Sequence, residues 1–493
     1  MAVKLIYKDV ALGADEDAEV TAVTTAENFS DVAKIPYGAD TPAIATGEPN
    51  GWGLTHDYTV LDKQPVAFWS VERSGADCSF TNPPTIILDF SEQYTATALT
   101  VRFAPESMDY CTQVSVTWYQ YGIVKEQDTF YPDATTYIIE NAVEAFDRIV
   151  FSFEKTNLPN RRVKVELITI GAVREFSGRE LTSANFVHEI SLISDTVPVN
   201  VLDAALRSNG RTDFIFQRKQ PIEGYNGSEL IGVYYIETGK RTGVDNYELT
   251  CCDIIGVLDL DEYSGGIWIN DTPLTTILSE VFGNTVTFDV APAYSSSKLR
   301  GYIEPGTKRA ALQQIAFALG ACVDTTGTKT IKIFPPPTAE SVEISARRTY
   351  VGGAVELSDK VTEVTVTAYV FFDERPTENQ QYIELNGVKY RYYTETKHAI
   401  NPNVVASDLQ NKKKFDKSYL VNLSNAQTLA DNIMAYYMQR ETYSFKHILE
   451  GQEPADRALV TLPWGDKVNG NITRMSISVT GIAVSDTEML LDN

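Results

Sequence analysis

The residues of this chain that are capable of chemistry are not spaced to act together. The four histidines, His56, His188, His398 and His447, stand singly. A zinc site needs converging nitrogen and sulfur ligands, which a sequence announces as His-Glu-x-x-His or paired Cys-x-x-Cys spacing. Neither spacing occurs. The five cysteines are an odd count with no framework spacing, and the neighbours Cys251 and Cys252 would point to opposite faces of a strand. That usage fits a reducing assembly compartment. The Gly-x-Ser-x-Gly elbow of a serine hydrolase is missing, and Gly239-Lys240 lacks both the upstream glycine and the following hydroxyl of a phosphate loop. A glycosidase needs two carboxylates about 5 to 10 Å apart. With 66 acidic residues the sequence marks no particular pair. No catalytic residue, cofactor site or metal site is therefore assigned, and the chain is not expected to be an enzyme.

Binding chemistry leaves a shorter set of candidates. Trp52, Trp69 and Trp118 each offer an apolar face to a sugar ring, but in an aromatic-rich β protein Trp69 and Trp118 are expected in the core. Trp52, between Gly51 and Gly53, is the one expected on a loop and is the single candidate ligand contact. Lys412-Lys413-Lys414 reads as a solvated polar loop. Gly13-Ala14-Asp15-Glu16-Asp17 reads as a solvated acidic turn, because it lacks the ligand spacing and closing glutamate of an EF-hand. A net charge of -24 opposes a phosphate-gripping surface. It would suit a wall past which DNA slides without sticking. No window approaches the roughly 18 to 20 apolar residues of a membrane span, and no signal-peptide pattern opens the chain.

The elements that would position any site are mostly strands. At 493 residues two to four domains are expected. Lys4–Lys8 reads as an opening strand. Period-two alternation with intervening turn residues then marks Thr85–Phe90, Ala98–Phe103, Val114–Tyr119, Arg148–Phe153 and Arg161–Ile168, the pattern of a β-sandwich closing at Gly171. Further strands are read at Asp213–Phe216, Leu230–Ile236, Thr330–Phe334, Val361–Thr367 and Ile477–Thr480, with a stiff break at Pro335-Pro336-Pro337. Three helices interrupt them. One runs near Thr272–Phe282, with Thr272 as cap and Pro273 at the first turn. Another, near Thr307–Leu319, ends on Gly320 and is expected to pack on one side only. The third, near Asn425–Arg440, is expected to have a Ser424/Gln427 capping box and Tyr436-Tyr437 as core and rim packing.

A resemblance takes the reading further. Ala45–Trp52, Phe68-Trp69-Ser70, Pro83–Ile86, Leu99–Phe103 and Asn160–Val165 resemble, in order, the discoidin-like (galactose-binding-like) jelly roll of many tail proteins from phages of Gram-positive hosts. Carbohydrate binding does not transfer with that fold. Leu192–Asp203, Asp253–Asp259, Gly301–Ile303, Arg309–Ala321 and Ile331–Ile333 resemble phage tail hub proteins, with Leu192–Asp203 as the strand that opens a tube-like β-barrel. The resemblance implies a β-rich multidomain fold with a few helices: a discoidin-like jelly roll, tube-like β-barrel hub domains and a small α+β segment. The expected divisions are 1–19, an N-terminal strand joining the hub; 20–171, the jelly roll; 172–260, the first tube-like barrel; 261–355, the small α+β domain; and 356–493, the second barrel with one helix. It implies a homotrimeric ring in a virion tail or tail-like particle, assembled in the bacterial cytoplasm. Its partners would be the tail tube or distal tail proteins, the spike or tail-tip protein, and the tape-measure protein. Because the chain ends at Asn493 soon after the last hub-like strands, any peptidoglycan-cleaving module is expected on another polypeptide. The rival reading is an adhesin or carbohydrate-active protein built on the jelly roll, with a host-surface glycan as partner.

Overall fold

The computed structural model describes residues 3–10, 13–23, 31–36, 53–54, 60–61, 66–104, 108–208, 218–283, 286–338, 342–479 and 483–492. Strands dominate, and helices are few and short. The protein is β-rich and has more than one compact unit. The smaller is Ile6–Glu175 with Ile215–Pro221; the larger is Met1–Leu5, Phe176–Phe214 and Ile222–Asn493.

The smaller unit is built on two long strands, Thr85–Phe103 and Thr136–Thr156, paired antiparallel. Their register shifts at Tyr94 and Ala96, and such irregularities bend a ribbon so that one strand serves two faces. The strands expected at Thr85–Phe90 and Ala98–Phe103 are thus the two limbs of one strand. Glu19–Val23 pairs with the first limb and Lys164–Thr169 with the second. Cys111–Gln120 lies beyond Thr136–Thr156, and Ile123–Phe130 is the outermost strand on that side. Alternation does the sorting: Ile149, Phe151 and Phe153 are buried, while Arg148, Val150 and Ser152 lie on the other face. Trp69 and Trp118 are buried, as expected. Arg161 to Val163 precede the last strand instead of opening it, because the Arg161 side chain turns inward to share Asp109 with Lys164, at 3.4 and 2.7 Å. The acidic turn is a one-turn helix, Ala14–Asp17, and it is not simply solvated. Asp15 is buried and accepts the Ile170 N–H, and Asp17 accepts those of Ser91 and Glu92.

In the larger unit, strands from both ends of the sequence share one sheet. The first block comprises Leu181–Glu189, Val201–Arg207, Pro221–Asn226, Glu229–Arg241 and Asn246–Cys252. The second comprises Lys467–Val479, Ala483–Leu491, Glu441–Ile448 and Ala354–Leu357, with Arg457–Thr461 branching from Lys467–Val479. They join where Leu181–Glu189 pairs with Lys467–Val479, in register from Ala184 opposite Val479 to Glu189 opposite Arg474. Only the end of the expected Leu192–Asp203 strand is a strand. Residues 190–200 form a connection that buries Leu192, Ile193 and Val197. Asp253–Asp259 holds a short helix, Ile254–Leu258, with Asp253 accepting the Gly256 N–H as its cap. The expected strand Asp213–Phe216 falls outside the described residues.

Between the two blocks lies an α+β segment with its own core. Helices Leu274–Phe282, Lys308–Leu319 and Ala426–Met438 bury Ile277, Leu312, Ile315, Phe317 and Ile433 together. The helix Lys308–Leu319 is capped as the sequence predicts. Thr307 accepts the Ala310 N–H, and Gly320 takes the left-handed conformation at φ 64°. It does not pack on one side only: Ala311, Leu312, Gln314 and the run from Ile315 to Ala318 are all buried. The other two caps differ from expectation. Pro273, not Thr272, occupies the cap position, and the Thr272 hydroxyl donates to the Asn270 carbonyl. No Ser424/Gln427 box forms, because Ser424 Oγ donates to Asn422 while Gln427 donates to the His398 carbonyl and Asp431. Tyr436 and Tyr437 meet edge to face, half-buried, as core and rim packing requires. Lys412–Phe415 is an exposed edge strand parallel to Glu363–Phe372, not a loop, and Lys412 lies 2.6 Å from Glu363.

The caps supply a direct test. Thr307→Ala removes an N-cap acceptor and is expected to cost about 1 kcal/mol. Thr272→Ala removes none and should change stability by less than about 0.5 kcal/mol. Urea denaturation midpoints of the two variants distinguish them.

Candidate functional site

The feature of the larger unit that calls for a partner is the end of its sheet. Residues Thr349 to Ser358 run along Glu441–Ile448, and Ala354–Leu357 pairs with it from Ala354 opposite Ser444 to Leu357 opposite Glu441. The segment is tied at both ends. The Tyr350 N–H donates to the Lys446 carbonyl, the Ser358 N–H to the Arg440 carbonyl, and the Arg440 guanidinium to the Ser358 carbonyl at 2.8 and 2.9 Å. Gly353 is required in this seam, since at φ 114° a Cβ would stand 2.8 Å from the Tyr443 ring. Among the described residues no strand pairs with the outer side of Ala354–Leu357.

An unpaired edge carries a row of open N–H and C=O groups, and stable monomers blunt such edges with charge, proline or bulges. This one is apolar. Tyr350, Val351 and Leu357 are exposed, Val351 completely so, and from Tyr350 to Leu357 the single charge is Glu356. Beside its end opens a groove of about 770 Å³ lined by Lys360, Asp408, Leu409, Tyr436, Tyr437 and Thr442. Leu409 is 90% exposed. The Lys360 ammonium, 2.8 Å from Asp408, holds that carboxyl below its ordinary range. The chemistry available here is strand addition plus an apolar seat, which is the chemistry of assembly.

Several titratable groups of this unit are buried and bonded to the fold. Buried Asp253 accepts the Asn200 N–H at 3.1 Å and the Thr325 hydroxyl at 2.6 Å, besides capping its helix. Burial pushes its carboxyl up to about 6, against the pull of those bonds. His188 meets the Tyr234 hydroxyl at 2.5 Å with the rings stacked. Near them Lys332 donates to the Thr326 carbonyl and stands 3.8 Å from Asp324 and 3.6 Å from Glu453. The adjoining cavity, about 20 Å³, holds one water at most. Cys251 and Cys252 are buried free thiols, and burial raises both. Among the described residues no three His, Cys, Asp or Glu side chains are grouped to hold a metal. Among them too, no helix is long and apolar enough to cross a membrane. His188 and His447 are buried and His398 pairs with Glu363, so the structure brings none of these histidines together; His56 and Trp52 lie outside the described residues. The apolar edge was not singled out in the sequence, although Tyr350-Val351-Gly352-Gly353-Ala354-Val355 carries its signal in having no charge.

No protein-family model and no curated protein matches the chain. Among solved structures it is similar to the tail protein from Neisseria meningitidis MC58, at 13% identity and TM-score 0.46, over 64% of this chain and 94% of that one. It is similar to the 43 kDa tail protein of prophage MuSo2 from Shewanella oneidensis, at 9% identity and TM-score 0.45, over 64% and 95%. It is also similar to the prophage tail protein gp18 from Listeria monocytogenes EGD-e, at 10% identity and TM-score 0.43, over 65% and 91%. All three are tail proteins, the class named by the resemblance read from the sequence.

The buried histidine makes stability depend on pH. Burial holds the His188 imidazole down at about 4, partly offset by Asp324. The folded state then binds the proton more weakly than the unfolded chain, so this contribution is complete above about pH 6.5 and is lost as pH falls toward 4. Asp253, raised to about 6, acts oppositely: its contribution is present at low pH and is lost as pH rises through 6. His188→Gln is therefore expected to lose about 2 kcal/mol less than the unsubstituted chain between about pH 7 and pH 5, read from denaturant midpoints.

Proposed function

We propose that the protein is a structural component of a phage tail or phage-tail-like particle. Three copies would form a ring that joins the tail tube to the central spike or tip. The observation that carries this reading is the open, apolar edge from Tyr350 to Leu357, together with the groove at its end. A second copy of the chain is the occupant, since closed rings arise when one surface of a subunit meets a different surface of its neighbour. The resemblance of Leu192–Asp203 and the later segments to hub proteins supports the same role.

In this role the partners are further copies of the chain, the tail tube or distal tail proteins, the spike or tail-tip protein, and the tape-measure protein. The acid excess, 66 Asp and Glu against 42 Lys and Arg, suits a lumen that repels a phosphate backbone, because a pore focuses the field of whatever lines it. No catalytic step is proposed.

Light scattering on the purified chain and electron microscopy with tube or spike partners test the reading. A trimer and a threefold ring are expected, and a monomer that forms no ring with those partners would contradict it. Val351→Lys with Leu357→Lys alters two exposed side chains and should leave the melting temperature within the range of ordinary surface changes, while returning the trimer to monomer.

A further inference from the structure

The larger unit contains a small cavity apart from its open edge. It measures about 120 Å³, and four elements supply its walls. Glu304 follows the strand Lys298–Ile303, Gln314 lies on the helix Lys308–Leu319, Tyr369 on the strand Glu363–Phe372, and Asp416, Lys417 and Tyr419 on the connection after Lys412–Phe415. That connection is held from two sides. The Tyr369 N–H donates to the Val421 carbonyl at 2.8 Å, and Gly301, at φ 139°, passes so close that a Cβ there would stand 2.2 Å from the Tyr419 carbonyl oxygen. The cavity is therefore formed before anything enters it.

Gln314 is the unexpected residue. It is 4% exposed, and its side-chain carbonyl oxygen is buried with no hydrogen-bond donor among the described residues. A buried acceptor without a donor destabilises a fold, and an apolar side chain would serve the helix better. The other polar groups of the wall are acceptors too. Asp416 accepts from the Tyr369 hydroxyl and keeps further lone pairs, and the Glu304 carboxylate joins it, both residues being exposed. Burial, reinforced by these carboxylates, raises the Tyr369 and Tyr419 hydroxyls, so both rings stay neutral. The two rings meet edge to face, their centroids 4.6 Å apart.

An occupant must therefore donate to several acceptors, carry positive charge and lie against aromatic rings. A metal ion is disfavoured, because no third His, Cys, Asp or Glu is grouped with the two carboxylates. The cavity is also smaller than the roughly 300 Å³ at which sites for drug-sized ligands begin. An ammonium is a compact, strongly hydrated charge, whereas a guanidinium is a planar fork of five N–H donors that stacks on aromatic rings. We propose that this cavity receives the guanidinium of an arginine side chain from a neighbouring polypeptide of the particle, which donates to Gln314 Oε1, Asp416 and Glu304 beside the rings of Tyr369 and Tyr419. The neighbour as source rests on the assembly role proposed above; the chemistry of the cavity does not. Lys417, exposed on the same wall, competes for the carboxylates and turns to solvent when arginine enters.

The test uses the full-length chain, dissociated and isotope-labelled at glutamine nitrogen, with the Gln314 side-chain amide identified by its loss in Gln314→Leu. N-acetyl-arginine amide is expected to shift that signal with a Kd on the order of 1 mM, and N-acetyl-lysine amide to bind at least roughly threefold more weakly. Asp416→Asn should lose roughly tenfold for the arginine probe, and Lys417→Gln should bind it roughly two- to threefold tighter. Gln314→Leu removes an unpaired buried acceptor, so it should melt no lower than the unsubstituted chain while its association with tube or spike partners weakens roughly tenfold. The inference is overturned if the arginine probe gives no shift up to roughly 20 mM, if the lysine probe binds as well, or if Gln314→Leu assembles undiminished. A chain that assembles but shows no arginine-dependent shift sinks this inference alone. A chain that shows the shift but joins no partner sinks the neighbour as source together with the assembly reading.

Discussion

The larger unit depends on one strand pairing, Leu181–Glu189 against Lys467–Val479. Its side chains meet across 291 residues of sequence, where Asn185 accepts the Ser476 hydroxyl at 3.2 Å. Closing so long a loop costs little more than closing one half as long, because the entropy grows only logarithmically with length. What makes the pairing possible is that the intervening chain forms its own core around Leu312, Ile315, Phe317 and Ile433. With that ladder in place the two blocks become one sheet, and whatever strand lies outermost must find a partner or face water.

The two units treat their outer strands differently. In the smaller, the edge Ile123–Phe130 exposes Ile123 and Val124 but sets Lys125, Glu126 and Asp128 directly after them, charges that discourage pairing with another chain. In the larger, the edge from Tyr350 to Leu357 bears one charge and three exposed large apolar side chains, and Gly353 fits it closely against Tyr443. The same chain therefore blunts one edge and leaves another open. That contrast is the physical basis for assigning assembly to the second.

Much of this was legible in the sequence where alternation was strict. Ile149, Phe151 and Phe153 mark their strand unaided, as do Thr307 and Gly320 the limits of their helix. The helix Ile254–Leu258 was missed because Ile-Ile-Gly-Val-Leu is buried almost throughout and so has no polar face to set a period. Lys412–Phe415 was misread as a loop because its strand character comes from pairing with Glu363–Phe372, a tertiary fact. The Ser424/Gln427 box failed because both side chains found other partners.

The central claim, that the Tyr350 to Leu357 edge is completed by another chain, can be measured at two amides. The Ser358 N–H points inward to Arg440, so by strand alternation those of Val355 and Leu357 point outward. Residue-resolved hydrogen exchange would be compared between the dissociated chain and the assembled particle. The account predicts that both amides exchange freely in the dissociated chain and become strongly protected on assembly; equal, rapid exchange in both states would contradict it.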